Sequence, residues 1–178
     1  MESESLPRFA YYRDPVGDGT FAPSEELCTA CERRRGFIFT GVTYGKDVPE
    51  EAKFCPWCIS EGTVHARFGA TFNEVDQGAP QEARDEVCCR TPGFESWQDP
   101  IWPTHCNDVA VYVGQPTGDE LRSNPLALDA LLEDLRQWDW GRDEEYVEEF
   151  IDGLGGDAAA YLFECRHCQA QLVRWDQS

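Results

Sequence analysis

Residues 28–58 read CTACERRRGFIFTGVTYGKDVPEEAKFCPWC, and this stretch decides the fold of the N-terminal part of the chain. Its two C-x-x-C pairs, Cys28/Cys31 and Cys55/Cys58, enclose 23 residues. A C-x-x-C turn presents two thiolates toward one point, and zinc prefers four tetrahedral ligands, so two such turns complete a site. The sequence therefore predicts a structural zinc site in which four thiolates leave no position open for water.

The segment between the two pairs, GFIFTGVTYG, is aromatic and β-branched, which predicts a strand over residues 36–43. The second pair, C-P-W-C, also fits a thioredoxin-like redox motif, which needs a βαβ context and an exposed thiol of low pKa. The zinc interpretation is favoured over that one. A zinc-deaminase signature is rejected, because no His-x-Glu precedes the pair.

A third pair, Cys165/Cys168, needs ligands from elsewhere in the chain, and His105 and Cys106 are the best candidates. The other candidates are Cys88, Cys89, His65 and His167. If His105 coordinates, three thiolates and one imidazole close the site. If His105 points away, a water could take the fourth position and the site could be reactive. A further alternative is that the cluster binds no metal and that Cys106 is simply a small buried hydrophobic residue.

Two amphipathic, acidic helices are predicted in the C-terminal half. In SNPLALDALLEDLRQWDW, Asn124 can cap the helix and Pro125 suits its first position. In RDEEYVEEFIDGLGG, Asp143 can cap and the glycines from residue 153 end the helix. Their apolar stripes are Leu128, Leu131, Leu132, Leu135 and Trp138 in the first helix and Tyr146, Val147, Phe150, Ile151 and Leu154 in the second.

Short strands are expected around these helices, at residues 110–114, 161–164 and 172–175, the last two joined by the Cys165/Cys168 turn. Residues 70–104 lack periodicity and predict a wrapped loop region. The expected fold is α+β: one compact domain made of a zinc-knuckle lobe over residues 1–69 and an α+β part over residues 70–178 with the second cysteine cluster.

The charge of the chain limits its partners. Fifteen basic residues against 34 acidic ones leave a formal charge of -19, which disfavours nucleic acids and anionic membranes and favours a basic protein partner. Residues 119–157 hold 13 acids and three arginines. Arg33, Arg34 and Arg35 form the one basic run.

Cytoplasmic localisation is expected, because the start of the chain lacks a signal-peptide pattern, no apolar stretch approaches a membrane span, and C-x-x-C pairs are typical of reducing compartments. The sequence contains no G-x-S-x-G elbow, P-loop, G-x-G-x-x-G following a strand, or H-E-x-x-H. Without those motifs, we expect no enzyme.

Several motifs together resemble the CbrC family over nearly the whole chain: F-A-Y-Y-R-D-P near the start, C-x-x-C followed by G-F-I-F-T-G, C-P-W-C-I-S-E-G, R-T-P-G-F-E-S-W-Q and T-H-C-N-D. The resemblance implies a bacterial protein associated with tolerance to a nuclease colicin, or an immunity protein of a polymorphic toxin system, with no established reaction. It also implies metal ligands at the eight positions Cys28, Cys31, Cys55, Cys58, His105, Cys106, Cys165 and Cys168.

The first functional hypothesis is therefore a zinc-binding immunity or tolerance factor whose acidic face binds a basic nuclease toxin. The second is a zinc-ribbon adaptor that contacts protein or nucleic acid through Arg33 to Arg35. The third is an enzyme with an open zinc site at His105, Cys106, Cys165 and Cys168.

Overall fold

The computed structural model describes residues 5–137 and 143–177 and shows a single domain of mixed helices and strands. Its strands are β1 Phe21–Ser24, β2 Gly36–Phe39, β3 Glu74–Val75, β4 Ile101–Trp102, β5 Thr104–His105, β6 Asp108–Val109, β7 Val111–Gly114, β8 Ala158–Glu164 and β9 Gln171–Gln177. Its helices are α1 Pro56–Ser60, α2 Thr63–Phe68, α3 Gln81–Arg90, α4 Gly118–Arg122, α5 Pro125–Gln137 and α6 Glu144–Asp152.

The largest sheet is antiparallel and has the strand order β7-β8-β9. Its middle strand β8 is buried from Ala158 to Phe163, because both faces of the sheet are covered. Side chains alternate between the faces of a strand. Tyr161 and Phe163 therefore join one hydrophobic core, while Ala160 and Leu162 join a second core under the C-terminal helices.

The first core is aromatic. Phe94 stacks on Tyr112 with ring centroids 4.4 Å apart, and Phe163 meets Tyr112 edge-on at 5.4 Å. Trp102 is fully buried beside them, and its indole Nε1 donates a hydrogen bond to Asn73 at 2.8 Å. Phe21 and Phe54 belong to the same core, so it extends from the N-terminal segment to β8. The expected division at residue 69 stays a prediction.

The second core confirms the two predicted C-terminal helices. Asn124 Oδ1 accepts from the backbone N–H of Ala127 at 3.3 Å, and helix α5 begins at Pro125. Asp143 Oδ1 caps α6 by accepting from the N–H of Glu145 at 3.0 Å. The buried members of the predicted stripes are Leu131, Leu135, Val147, Phe150 and Ile151, and the half-buried ones are Leu128, Leu132, Tyr146 and Leu154. The predicted stripe residue Trp138 lies outside the described residues.

Three boundaries differ from the sequence prediction. The strand expected over residues 36–43 is shorter in the structure, where β2 ends at Phe39. The prediction of a loop over residues 70–104 was wrong, because this segment contains α3, whose buried side chains are Ala83 and Val87. Two small buried residues leave little apolar periodicity to recognise in a sequence. The strands flanking the Cys165/Cys168 turn are confirmed and are longer than expected, seven residues each.

None of the helices in residues 5–137 and 143–177 has both the length and the apolar composition needed to cross a membrane.

Candidate metal centres

The structure brings the two N-terminal cysteine pairs together. Ligand atoms of Cys28, Cys31, Cys55 and Cys58 all lie within 4.8 Å of one another, which is close enough to hold one metal ion. Cys28 and Cys55 are fully buried and Cys58 is 2% exposed. Cys31 is half-buried, and a metal ion held by all four sulfurs would have no position open to water.

Backbone hydrogen bonds hold the two pairs in place. Cys28 and Cys31 lie in the connection between β1 and β2, where the N–H of Glu32 donates to the carbonyl of Cys28 at 2.7 Å. Glu32 adopts a positive φ of 57°, which closes this tight turn. Cys55 immediately precedes α1, with Pro56 as the first helical residue, and its N–H donates to Cys28 Sγ at 3.3 Å. The two segments therefore meet at the sulfurs.

Hydrogen bonds among the cysteines of this cluster shift the pKa values of their thiols. Hydrogen bonds from the Cys55 and Cys58 thiols lower the pKa of Cys28, and the hydrogen bond to Cys28 raises the pKa of Cys55 to about 11. The pKa of Cys58 is also raised, first by its hydrogen bond to Cys28. The hydrogen bonds among these three sulfurs therefore favour a thiolate at Cys28, whereas a bound metal ion would favour several thiolates at once.

The second group contains His105, Cys106, Cys165 and Cys168, whose ligand atoms also lie within 4.8 Å of one another. Nδ1 of His105 is 3.3 Å from Cys106 Sγ and 3.4 Å from Cys168 Sγ, and the two sulfurs are 3.7 Å apart. A tetrahedral zinc with bonds of about 2.3 Å to sulfur and 2.0 Å to nitrogen spaces its ligands by about 3.8 Å (S to S) and 3.5 Å (S to N). The measured spacings match those values to within about 0.2 Å.

Two short turns place these four ligands. The hairpin formed by β5 and β6 pairs His105 with Asp108, and its two turn residues Cys106 and Asn107 have φ values of 51° and 57°. Positive φ at both positions is the geometry of a type I′ hairpin turn. On the other side, the loop between β8 and β9 closes when Cys165 N–H donates to the carbonyl of Ala170 at 2.8 Å.

The sulfurs of the second group differ in environment. Cys165 is buried, and burial acts to raise its pKa, but backbone N–H groups of Cys168 and His167 outweigh burial and lower the pKa to about 6. Cys106 is exposed, and its thiol donates to Cys168 Sγ, which raises the pKa of Cys106 to about 11. Backbone N–H groups therefore favour the thiolate at Cys165, whereas the hydrogen bond to Cys168 favours the thiol at Cys106.

Asp108 joins the two turns, a role that the sequence analysis missed. It is 9% exposed, accepts from the hydroxyl of Tyr11 at 2.8 Å, and lies 2.9 Å from His167 Nε2. Burial opposes ionisation of Asp108, but hydrogen bonds from Tyr11, His167 and the backbone of Val109 prevail and lower its pKa. Arg166 lies 3.6 Å from the same carboxylate and stacks over the Tyr11 ring. The T-H-C-N-D motif contains Asp108, but no spacing rule identifies its partners.

The other candidate ligands lie outside both groups. His65 Nδ1 lies 2.9 Å from the carbonyl of Ala70, and the His167 imidazole contacts Asp108 instead of the sulfurs. Cys88 and Cys89 are half-buried on α3, and burial raises the pKa of both thiols.

The basic run and the C-P-W-C motif have structural roles. Arg34 donates to the carbonyl of Glu25, and the Arg35 guanidinium lies 4.2 Å from the ring centre of Trp57. Trp57 is buried, and C-P-W-C starts a five-residue helix beside Cys28. This context differs from the βαβ unit that a thioredoxin-like motif requires.

Comparison with known proteins identifies the family of the chain. A family model described as "Uncharacterised protein family (UPF0167)" matches residues 6–177. The chain belongs to the UPF0167 family. UPF0167 proteins of Mycobacterium bovis and Mycobacterium tuberculosis are each 41% identical to it over 179 residues, spanning 97% of this chain and 94% of the relative. A UPF0167 protein of Pseudomonas aeruginosa is 31% identical over 169 residues, 92% of each chain. No solved structure matches the chain.

This result corrects the assignment made from sequence motifs. The resemblance to the CbrC family was wrong, because the matching family model and the curated relatives are UPF0167 and no match is to CbrC. The toxin-tolerance or immunity role rested on that resemblance, and the UPF0167 description does not support it. What stands is a chain with bacterial relatives and two cysteine-rich groups able to hold a metal ion.

Proposed function

We propose that this UPF0167 protein binds two zinc ions, a buried one that stabilises the fold and an exposed one at His105, Cys106, Cys165 and Cys168. The ligand spacing at the second site carries the proposal, since three measured distances match the edges of a zinc tetrahedron. Sets of three or four thiolates in tetrahedral arrangement favour zinc over oxygen-loving cations such as magnesium.

The protein acts by binding a partner and not by catalysis. Two observations support this part of the proposal. His105 lies with the three sulfurs, so the second ligand set can be complete without water. The buried set is likewise complete with four sulfurs.

The proposed partner is a basic protein that contacts the acidic helices α4 to α6. Glu144, Glu145, Glu148 and Glu149 are exposed on α6, and Arg122 pairs with Glu148 at 2.9 Å and Asp152 at 2.6 Å. A surface with this charge attracts cationic partners, and the attraction weakens when salt is added. The adaptor hypothesis has less support, because Arg34 and Arg35 already contact the chain itself.

Zinc counting tests the metal proposal. Protein purified without chelator is dialysed against a weak chelator, and zinc is measured by atomic emission and native mass spectrometry. We expect two zinc ions in the wild type and in Cys89→Ser, and one in Cys106→Ser. A wild type that keeps no zinc, or a Cys106→Ser variant that keeps two, contradicts the proposal.

Charge substitution tests the partner proposal, with poly-lysine as the cationic probe. One variant replaces Glu144, Glu145, Glu148 and Glu149 by Gln. A control with the same net charge replaces the exposed Glu25, Glu26, Glu50 and Glu51 by Gln. We expect the α6 variant to lose more affinity than the control, and the difference to shrink at high salt. Equal losses contradict a partner surface on α6.

A further inference from the structure

The two cysteine groups differ in access to solvent. Cys28 and Cys55 are fully enclosed, whereas Cys106 and Cys168 are exposed. A cleft of about 510 Å³ lies directly beside the second group. Its lining includes Tyr11, Glu82, Glu86, Cys106, Asp108 and Arg166. The exposed group therefore adjoins a space in which a small molecule fits.

Among the three sulfurs of this group, Cys106 is the one that lines the cleft. It lies at the tip of the β5–β6 hairpin, in the first turn position. Cys165 is buried, and its sulfur accepts the backbone N–H of His167 at 3.4 Å. Hydrogen bonds to a thiolate stabilise its negative charge and reduce its tendency to attack carbon. Burial and the backbone hydrogen bond set Cys165 apart, and the lining of the cleft distinguishes Cys106 from the equally exposed Cys168, so Cys106 is the sulfur placed to react.

From these contacts we infer that Cys106 is a nucleophile that accepts an alkyl group from a small, uncharged or cationic carbon electrophile entering the cleft. The inference rests on the proposed function, because a metal-bound thiol is deprotonated and carries the electron pair that the attack needs. The Cys106 sulfur forms a bond to the electrophilic carbon. The bond from that carbon to its leaving group breaks, and the leaving group departs with the bonding pair. The product is a thioether, so the transfer occurs once per protein molecule.

Charge selects the class of electrophile. One dication and three thiolates leave the site with one net negative charge, and Glu82 and Glu86 line the cleft beside it. Two basic side chains line the cleft, and both contact the Asp108 carboxylate. Arg166 lies 3.6 Å from that carboxylate and 4.7 Å from the centre of the Tyr11 ring, and His167 Nε2 lies 2.9 Å from the carboxylate. An anionic electrophile meets repulsion from this site and from a chain whose formal charge is -19.

The test uses iodoacetamide, which is neutral, and iodoacetate, which is its anionic counterpart. Zinc is counted first, and the zinc-loaded full chain is then treated with less than one equivalent of each reagent. Peptide mapping locates the first adduct, and 2-mercaptoethanol provides the intrinsic rate ratio of the two reagents. We expect the first adduct on Cys106, with an iodoacetamide preference at least about threefold above that of 2-mercaptoethanol.

Two variants control the experiment. Cys106→Ser should lose the fast reaction while circular dichroism and retention of the buried zinc show that it is folded, and Cys89→Ser should keep the fast reaction. If two zinc ions are bound but the first adduct lies on Cys88, Cys89 or Cys168, or the reagent preference equals that of 2-mercaptoethanol, this inference is overturned and the proposed function stands. If the wild type retains only the buried zinc, the proposed second site fails, and the inference fails with it.

Discussion

The carboxylate of Asp108 lies 2.9 Å from Nε2 of His167 and so joins the β5–β6 hairpin to the loop between β8 and β9. Cys106 comes from the hairpin and Cys165 and Cys168 come from the loop, so this contact sets the distance between the two halves of the second group. The contact lies outside the ligand set and holds in place the two turns that carry the ligands. Prior organisation of this kind raises metal affinity.

Asp108→Asn is expected to weaken zinc binding at the second site about tenfold, because the amide keeps the size of the carboxylate but loses the charge that faces His167 and Arg166. Competition with a chromophoric chelator measures the dissociation constant. Glu164→Gln serves as the matched control, since Glu164 pairs with Arg13 at 2.9 Å on the surface. Unchanged affinity in Asp108→Asn, or an equal loss in the control, would show that the contact does not organise the site.

Cys58→Ser is expected to lower the unfolding temperature of the zinc-loaded protein by at least about 10 °C, which corresponds to a loss of about 4 kcal/mol or more for a chain of this size. The reason is that Cys58 is buried in the four-sulfur group and the free energy of metal binding contributes directly to folding. Cys88→Ser, at a half-buried cysteine outside both groups, should cost no more than about 1.5 kcal/mol. Scanning calorimetry compares the variants, and similar unfolding temperatures would rule out a stabilising role for the buried site.

Asn73→Ala is expected to destabilise the fold by about 3 kcal/mol. The Asn73 amide is buried, donates to the carbonyls of Val87 and Thr91 at 2.8 Å each, and accepts from the indole of Trp102. Alanine leaves these three buried groups without their partner. Gln115→Ala is the control, because Gln115 also donates an amide hydrogen to a backbone carbonyl, that of Glu95, but is exposed. Urea unfolding measures both, and a loss below about 1 kcal/mol in Asn73→Ala would contradict this account.

Asp134→Asn is expected to gain stability relative to the wild type as the pH rises from about 4 to 7. Burial raises the pKa of Asp134 above its ordinary value, despite Arg174 at 3.5 Å and a hydrogen bond from Trp175. The folded state therefore binds this proton more tightly than the unfolded state, and wild-type stability from this group is lost as the pH rises through the folded pKa. Urea unfolding at several pH values tests the sign, with Asp129→Asn, on the exposed side of α5, to correct for the loss of one charge. A difference between Asp134→Asn and the wild type that stays constant or reverses with pH would refute the prediction.

The sequence by itself determined the features that depend on neighbours along the chain. The C-x-x-C pairs predict their own turns, and the 23 residues between the two N-terminal pairs are long enough for β2 to lead away and for the chain to return to the first pair. Asn124, Pro125 and Asp143 start their helices through contacts within the next few residues. The residues that make such contacts lie within one turn of helix or one C-x-x-C loop, so the pattern can be recognised without knowing the fold.

Only the tertiary structure decided which residues complete the second group. His105 and Cys106 reach the Cys165/Cys168 loop because the β5–β6 hairpin faces the connection between β8 and β9, whereas Cys88 and Cys89 lie on α3 outside both groups. The contacts by which Asp108 joins the two turns also depend on the tertiary structure, since its partners Tyr11 and His167 are 97 and 59 residues away in sequence. Contacts over such separations depend on strand register and on how the two cores pack, and those are properties of the whole chain that no local pattern contains.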